Sequence, residues 1–459
     1  MEPFLKQFNR LEPANQPEWL PPLREAGLAR FAELGFPTLR DEDWRFTNVA
    51  PIARLPFQPA REVTVNGAES TAIKDSIFAR LPGQRLVFVN GFFSAALSSI
   101  KPVTGGARVE SLAAALKSGT GVPPVSGQEA RETNGQDARA TIEKHLGRYA
   151  HTAGNAFAAL NQAFFTDGAF IFVPPGVEAT EPVQVIYISS AKQNGEAIQP
   201  RNLIIAEANS KLTVVESYIS TGNVAYFTNA VTELLAGDNA AIEHIKLQDE
   251  AADAFHIATI AGEFGRASNV TVHSFALGAK LSRTNIRAKL AGEGLECILN
   301  GLYLTRGDQL ADHHMIVEHA QPHCASHEYF NGILDDKSKG VFHGRIYVHP
   351  VAQKTDAKQT NKNLLLSDDA TADTKPQLEI YADDVKCTHG ATIGQLNDES
   401  IFYLRSRGIG RENARRMLIH AFAGEIIERV KCAPVREELD RIVWNRLEAN
   451  PSLREISKP

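Results

Sequence analysis

Short strand-forming runs separated by polar turns fill the sequence from about Ala169 to Gly394, and they constrain the fold more than any other feature. The runs include AFIFVP, PVQVIYIS, KLTVVESYI and GRIYVH, and the turns between them carry Gly, Asn or Asp. Leu212 and Ile242 lie 30 positions apart, and Leu295 and Leu310 lie 15 positions apart. A unit of about 15 residues therefore repeats along this part of the chain.

The connections between these runs are too short for helices. No stretch of about 10 to 15 residues with helical periodicity separates them, so the crossover helices of a doubly wound sheet are not expected. A coil of stacked strands needs only turns. The pattern thus predicts a mainly β fold with a parallel β-helix core, a β-solenoid. An antiparallel sandwich or barrel is the alternative, because spacing alone does not tell which strands pair.

Helical periodicity predicts α-helical regions on both sides of this core. Near the N-terminus, apolar residues recur at three to five positions until Gly35 and Pro37 end the pattern. Between 118 and 140 the chain is rich in Gly, Pro and Ser, which is typical of a flexible insertion. The predicted domains are an N-terminal helical region (1–50), an α/β region with that insertion (51–168), the β-helix core (169–396) and a C-terminal helical domain (397–459).

Composition narrows the function classes. The net charge is -6 and the pI is near 6.2, so no general attraction to nucleic acid or anionic lipid is expected. Apolar runs such as Ala169–Val173 are far shorter than the ~20 residues of a membrane-spanning helix. The N-terminus also lacks the pattern of a secretory signal. These features predict a cytoplasmic protein with neither nucleic acid nor a membrane as its partner.

Histidines are concentrated in one segment of the core. Seven of the 14 histidines lie between His313 and His349. Since alternate residues of a strand share a face, His313 and His314 are expected to point in opposite directions. Cys324 with His323 and His327 offers thiol and imidazole ligands, but the paired spacing of a structural zinc site is missing. Packing or hydrogen bonding within the coil is the favoured interpretation, and a metal-dependent enzyme is the alternative.

A second constellation is Cys387-Thr388-His389. Residues i and i+2 of an extended segment project to the same side, so the thiol and the imidazole are expected to face together. Such a pair can bind iron, zinc or copper. Two ligands are too few for a closed site, so further ligands have to come from elsewhere in the fold, from an exogenous sulfide or thiol, or from a partner. The alternative is a strand cysteine that packs beside a solvated histidine.

Signatures of enzymes are sparse. The sequence contains no GxxxxGK[ST], GxSxG or HExxH motif. Pairs of acidic residues in turns are the remaining candidates for catalysis, and they allow a β-helical carbohydrate-active enzyme as an alternative. These pairs are Asp335 and Asp336, Asp368 and Asp369, and Asp383 and Asp384.

The long run from Val348 to Ile409, which contains DDVKCTHGATIG, resembles the SufB/SufD family of iron-sulfur cluster assembly proteins. GFPTLRDEDWRFTNV (35–49) and LVFVNGFFSAALS (86–98) resemble the SufD branch of that family. SufB carries an essential cysteine in a motif shaped like CDSLLIG. The corresponding stretch here, 361–367, reads NKNLLLS and has no thiol.

The resemblance implies a fold and a function. The family fold is a parallel β-helix between helical regions, and the chain is expected to be a non-catalytic scaffold subunit that pairs with a SufB-like subunit. A SufC-like ABC ATPase is expected to dock on the C-terminal helices. Cys387 and His389 are the expected ligands of a nascent iron-sulfur cluster that is shared transiently with SufB, and an isolated chain can form a homodimer. The expected docking residues are Arg405, Arg407, Gly408, Met417 and Leu418.

Overall fold

The computed structural model describes residue 8 and residues 16–55, 58–65, 67–75, 81–101, 104–117, 134–191 and 194–449. Most of the predicted insertion, residues 118–133, lies outside the described residues. The last residues of the predicted insertion belong to a helix, Asn134–His145.

Nine α-helices and 21 strands occur in the described ranges. The helices are α1 (Leu20–Leu34), α2 (Ala50–Arg54), α3 (Gly67–Asp75), α4 (Leu112–Lys117), α5 (Asn134–His145), α6 (Ala156–Phe164), α7 (Asp398–Ser406), α8 (Arg411–Ile427) and α9 (Ala433–Ala449), with short 3-10 helices at Glu42–Trp44 and Thr104–Gly106. The strands are β1 (Gln58–Pro59), β2 (Gln84–Val89), β3 (Phe92–Phe93), β4 (Arg108–Ser111), β5 (Ala169–Val173), β6 (Val183–Ser189), β7 (Glu196–Ile198), β8 (Arg201–Ala206), β9 (Lys211–Ser220), β10 (Tyr226–Ala236), β11 (Ala241–Asp249), β12 (Phe255–Phe264), β13 (Asn269–Ala276), β14 (Leu281–Leu290), β15 (Glu296–Thr305), β16 (Leu310–His319), β17 (Ala325–Leu334), β18 (Lys339–Val348), β19 (Asp356–Leu365), β20 (Thr371–Ile380) and β21 (Lys386–Gly394).

Successive strands of the core alternate between two sheets. Sheet A has the order β20-β18-β16-β14-β12-β10-β8-β5-β4, and sheet B has the order β21-β19-β17-β15-β13-β11-β9-β6-β2-β3. From β8 in sheet A and from β6 in sheet B up to the last strand, each strand pairs in parallel with the strand one turn later. The chain therefore forms a parallel β-solenoid flanked by N-terminal and C-terminal helices, and the fold prediction is confirmed.

The register explains the repeat in the sequence. Ile242 pairs with both Leu212 and Val270, so the repeating unit of about 15 residues is half a turn, one strand with its connection. Leu310 pairs with Lys339, 29 positions on, whereas Ile242 lies 30 positions after Leu212 and 28 before Val270. The length of one full turn therefore varies slightly along the solenoid.

One kind of connection between strands recurs at the same place in successive turns of the solenoid, and these connections stack on one another. At each level a residue adopts a left-handed conformation and donates its N–H to a carbonyl of the following turn, as His323 does to Gln353 at 2.9 Å. Asn and Gly tolerate this conformation best, which explains the Asn and Gly of the sequence pattern. The residues of the stack are Asn209, Asn239, Ala267, Gly294, His323 and Lys354.

The space between the sheets, the lumen, is filled by side chains from alternate positions of every strand. Its apolar part includes Val272, Leu299, Phe330 and Phe342, and the rings of Phe330 and Phe342 lie 5.3 Å apart. Phe330 covers Gly301 of the preceding turn so closely that a Cβ atom there would lie 2.1 Å from the ring. The lumen is therefore a packed core.

Helices cover the outer faces of both sheets. Helix α6 is buried along its whole length and packs with α1 against sheet A. Helices α8 and α9 pack on the outer face of sheet B, where Ile419, Ile426 and Val443 meet Leu302 and Ile333. Each sheet is thus buried on both faces over most of its length, as is typical of parallel sheets.

One end of the solenoid is open. Strands β20 and β21 are the last strands of sheets A and B, and neither pairs with a further strand among the described residues. Most residues of β21 are exposed, although the preceding strand β19 has buried alternate residues. This end presents two free strand edges and the rim of the lumen.

Candidate functional site

Cys387 and His389 lie on β21 at this open end. In the register of sheet B, Cys387 pairs with Ala357 and His389 pairs with Gln359. Ala357 and Gln359 are buried in the lumen, whereas Lys358 between them is exposed. The side chains of Cys387 and His389 therefore share the lumen side of the outermost strand. Cys387 is half-buried and His389 is exposed.

The side chain of Cys387 packs against a buried apolar cluster, which consists of Ile346, Val348, Ala352, Ala357 and Ala382. Burial, followed by the nearby negative charge of Asp356, raises the pKa of this thiol. The protonated form is therefore favoured in this chain, and a metal ion that binds the sulfur has to displace the proton.

A polar column leads from His389 into the lumen. Glu328, Gln359 and His389 occupy equivalent positions of β17, β19 and β21. Gln359 Nε2 donates to Glu328 Oε1 at 3.4 Å, while Glu328 Oε2 and Gln359 Oε1 are buried without a hydrogen-bond partner. Burial raises the pKa of Glu328 to about 8. A neutral carboxyl group thus lies two strands behind His389.

The histidines from His313 to His349 are distributed over both faces of the core. His313 faces the lumen and contacts Ser274 Oγ at 2.9 Å, and His319 contacts Ser326 Oγ at 2.8 Å. Burial lowers the pKa of His313 to about 3 and that of His319 to about 4. His314 lies on the opposite face of the same strand, toward Asp43, so the expected opposite directions of His313 and His314 are confirmed.

The structure does not assemble His323, Cys324 and His327 into a metal site. His323 is in the stacked turn, and the Cys324 Sγ lies 3.2 Å from the carbonyl oxygen of Gly292. In the part of the chain that the structure describes, one group of three possible metal ligands comes together: Asp43, His314 and His343. Sequence reasoning missed Asp43, since no local pattern connects it with histidines some 270 residues later.

The predicted docking residues lie on α7, on α8 and in the connection between them. Arg405, Arg407 and Gly408 are exposed, and Gly408 has a φ of 88°, which favours glycine. Met417 is 41% exposed and Leu418 is half-buried.

Two aromatic residues of α7 extend this surface. Phe402 is 71% and Tyr403 54% exposed, and the Arg407 guanidinium lies 4.3 Å from the centre of the Tyr403 ring. Tyr403 was not singled out in the sequence, because an apolar position in a helix is more often a core position.

The acidic pairs lie in the turns and are partly engaged there. The Asp384 carboxylate pairs with Lys354, Asp336 accepts the N–H of Gly307, and Asp368 accepts a hydrogen bond from Gln395.

None of the helices in the described segments is long and apolar enough to cross a membrane.

Comparisons with known proteins cover nearly the whole chain. Residues 4–185 match the family described as the SufBD protein N-terminal region, and residues 187–422 match the SufBD core domain of SUF system FeS cluster assembly. An iron-sulfur cluster assembly SufBD family protein of Synechocystis sp. is 34% identical over 92% of this chain and 89% of its own length. The iron-sulfur cluster assembly protein SufD of Escherichia coli is 30% identical over 93% of each chain. SufD of Bacillus subtilis is 29% identical over 63% of this chain and 66% of its own length.

The Glu328→Gln variant is expected to gain stability over the wild type as the pH rises. The folded chain keeps a proton on Glu328 up to about pH 8, whereas the unfolded chain releases it near pH 4.3. Between these values the wild type therefore loses stability with rising pH, and a glutamine does not. The difference in unfolding free energy between variant and wild type should grow by about 3 kcal/mol between about pH 5 and about pH 8, as measured by urea denaturation.

The control for this series is Glu437→Gln, at an exposed position of α9. Its unfolding free energy should follow the wild type at every pH. Parallel pH profiles for Glu328→Gln and the wild type would show that the Glu328 carboxyl is not held neutral.

Proposed function

The chain belongs to the SufB/SufD family of iron-sulfur cluster assembly proteins, and we propose that it is a SufD-like, non-catalytic subunit of an assembly scaffold. In this proposal it works in the cytoplasm and pairs with a SufB-like subunit. The similarity to relatives named SufD and the missing thiol in 361–367 support the SufD role.

The main support for this proposal is the open end of the solenoid. The N–H of Lys386 bonds to the Thr355 carbonyl across sheet B at 2.8 Å. Since successive N–H groups of a strand point to opposite sides, those of Cys387, His389 and Ala391 point away from β19. Free donors on a long edge strand are a template for pairing with another strand. The SufB-like subunit pairs there, and a second copy of this chain can pair in its place when the chain is isolated.

Cys387 and His389 supply half of a coordination sphere at that junction. Both side chains lie on the lumen side of the strand that the partner meets, and a thiolate and an imidazole are both ligands of iron-sulfur clusters. The nascent cluster is the cargo of the scaffold, and its remaining ligands come from the SufB-like subunit or from incoming sulfide. The cluster is bound transiently and is not a resident cofactor.

A SufC-like ABC ATPase docks on α7 and α8. Phe402 and Tyr403 of α7 and Met417 of α8 are exposed apolar residues, Arg405 and Arg407 are exposed cations, and Arg407 lies over the Tyr403 ring. We call these five residues the docking patch. Exposed clusters of large apolar residues with a polar rim are typical of protein interfaces.

Helix α8 connects that patch with the open end. The Glu425 carboxylate of α8 pairs with the ammonium group of Lys362 at 2.8 Å, and Lys362 is next to Thr392 of β21 in the register. Asn331 of β17 donates to the Phe422 carbonyl at 2.9 Å. ATP-driven closure of two ATPase subunits moves the helices and, through these contacts, shifts the interface and exposes Cys387 and His389 to iron and sulfur. Such a transmission needs two arrangements of the interface that nucleotide binding biases.

The carbohydrate-active enzyme is not supported. The matched families are cluster assembly families, and the acidic turn residues include partners of lysine and main-chain groups.

The Ala391→Pro variant should no longer capture SufB when the three subunits are co-expressed, and it should still capture SufC. Proline removes an N–H group at the free edge of β21, whereas the docking patch on α7 and α8 is unchanged. Ala391→Ser keeps the N–H and is the matched control. Capture of SufB by Ala391→Pro as by the wild type, measured by affinity purification, would exclude pairing through this edge.

The His389→Ala variant is expected to lower the yield of cluster in the complex with SufB and SufC severalfold, because one ligand is lost. Thr388→Ala is the control, since Thr388 is next to His389 but on the opposite face of β21. The measurement is iron and sulfide content per complex after reconstitution. Undiminished yield in His389→Ala would remove the ligand hypothesis.

The Phe402→Asp variant should weaken the capture of SufC while SufB is still captured, because it replaces the most exposed aromatic side chain of the docking patch by a charge. Binding of purified SufC is measured by calorimetry, and a loss of at least about tenfold in affinity is expected. Ile100→Asp, at a 43% exposed apolar residue of the N-terminal region, is the control. Equal SufC affinities for the two variants would argue against docking on α7.

A further inference from the structure

Asp43, His314 and His343 form a cluster on the outer face of sheet A, where the N-terminal region packs on the solenoid. Asp43 belongs to the 3-10 helix Glu42–Trp44, and His314 and His343 are paired neighbours on β16 and β18. One ligand atom from each residue lies within 4.8 Å of the other two. His314 Nε2 is 3.7 Å from Asp43 Oδ1, and the centres of the two imidazole rings are 4.2 Å apart.

The surrounding structure holds Asp43 in place. The Arg283 guanidinium donates to the main-chain oxygen of Asp43 and to the Asp312 carboxylate, both at 2.7 Å, and it lies 3.7 Å from the centre of the Trp44 ring. Thr47 donates to the same Asp312 carboxylate at 2.5 Å. The N-terminal segment is therefore anchored at Asp43 itself and at Trp44 and Thr47 after it.

His343 is also oriented by a neighbour. Its Nε2 lies 2.6 Å from the side-chain oxygen of Gln377, the residue two positions further along β20 than the partner of His343. A hydrogen bond from the second ring nitrogen to a carbonyl oxygen is the usual support of a metal-binding histidine.

The imidazole of His314 is not satisfied within the chain. The side chain is 6% exposed, and its Nδ1 has no hydrogen-bond partner. The separation of Nε2 from Asp43, 3.7 Å, is too long for a hydrogen bond. A buried polar group without a partner is costly. A bound ligand from outside the chain would give the His314 ring a partner that the chain itself does not provide.

The charges around the cluster allow a cation. Arg283 is paired with Asp312 at 2.7 Å, and Arg345 lies 3.5 Å from Glu379, so both guanidinium charges are balanced. A cavity of about 20 Å³ adjoins Asp43 and His314, and Arg287 lines it as well. It has room for about one water molecule. The Arg287 charge favours a small anion such as hydroxide there.

We propose that Asp43, His314 and His343 bind one divalent transition-metal ion, such as Zn²⁺ or Fe²⁺, with a water or hydroxide in the adjoining cavity. Two imidazoles and one carboxylate suit these ions, whereas Mg²⁺ and Ca²⁺ prefer oxygen ligands only. The bound ion ties the segment 35–49 to β16 and β18 across sheet A. This site is separate from Cys387 and His389, and it does not rest on the proposed function.

The test uses the full chain, freed of metal with a chelator, and Co²⁺ as a spectroscopic probe. The wild type should bind one Co²⁺ per chain with visible absorption bands, and Zn²⁺ should displace it. Asp43→Asn and His343→Gln should bind Co²⁺ at least about tenfold more weakly. The matched controls are Glu42→Gln, on the same 3-10 helix and paired with Lys375, and His349→Gln, whose ring pairs with Glu318. Both should bind as the wild type does.

Two further measurements keep the outcome clear. Zn²⁺ should raise the thermal midpoint of the wild type and of both controls, but not that of the two ligand variants, whose metal-free midpoints report whether they fold.

The double variant Cys387→Ser/His389→Ala should keep its Co²⁺ site. Co²⁺ binding that is unchanged in Asp43→Asn and His343→Gln overturns the proposal. Loss of the bound Co²⁺ in the double variant, or binding of inorganic phosphate without any Co²⁺, overturns it as well.

Discussion

The parallel, in-register pairing of each turn with the next is the interaction on which the rest of this structure depends. It satisfies the backbone groups of every inner strand and brings alternate side chains of each turn into the lumen. It also leaves the last strand of each sheet without a partner. A stacked architecture needs a cap at such an end, and another chain is the alternative to a cap. Cys387 and His389 lie on this edge, which is why the proposed function places them at the junction with a partner.

The lumen is polar as well as apolar, and some of its polar groups are hydrogen-bonded between neighbouring strands. Burial alone would raise the pKa of Glu216, but hydrogen bonds from His244, Tyr218 and Thr232 outweigh this effect and bring it to about 2. Burial lowers the pKa of Lys246 to about 8, against the pull of Glu216 and Glu250. Buried polar networks tolerate few alternative arrangements, since a slipped register leaves their members unpaired. The core thus specifies its own register.

Both terminal regions reach the last turns of the solenoid, on opposite faces. On sheet A, Glu42 pairs with Lys375 of β20 at 2.6 Å, and on sheet B, Glu425 pairs with Lys362 of β19 at 2.8 Å. Surface ion pairs of this kind contribute little to stability, because solvent screens the two charges. These ion pairs matter for their position, because they connect the two helical regions with strands at the open end. A partner that meets this end meets strands in contact with both regions.

The sequence alone determined what local patterns can encode. The run of short strands with a half-turn repeat predicted the solenoid, and the spacing of Cys387 and His389 predicted that they share a face. Both follow from periodicities within a few residues or within one turn, which any strand obeys. The function of these two residues was inferred from resemblance, and it stays a prediction.

Only the tertiary structure decided which distant residues meet. It aligned Glu328 and Gln359 with His389, and it placed Asp43 beside His314 and His343. It also exposed Phe402 and Tyr403, which periodicity alone does not distinguish from core positions. These contacts depend on the lengths of the connections and on how the terminal regions pack on the finished coil. Which of these contacts form depends on the free energy of the whole chain, so no short stretch of sequence specifies them.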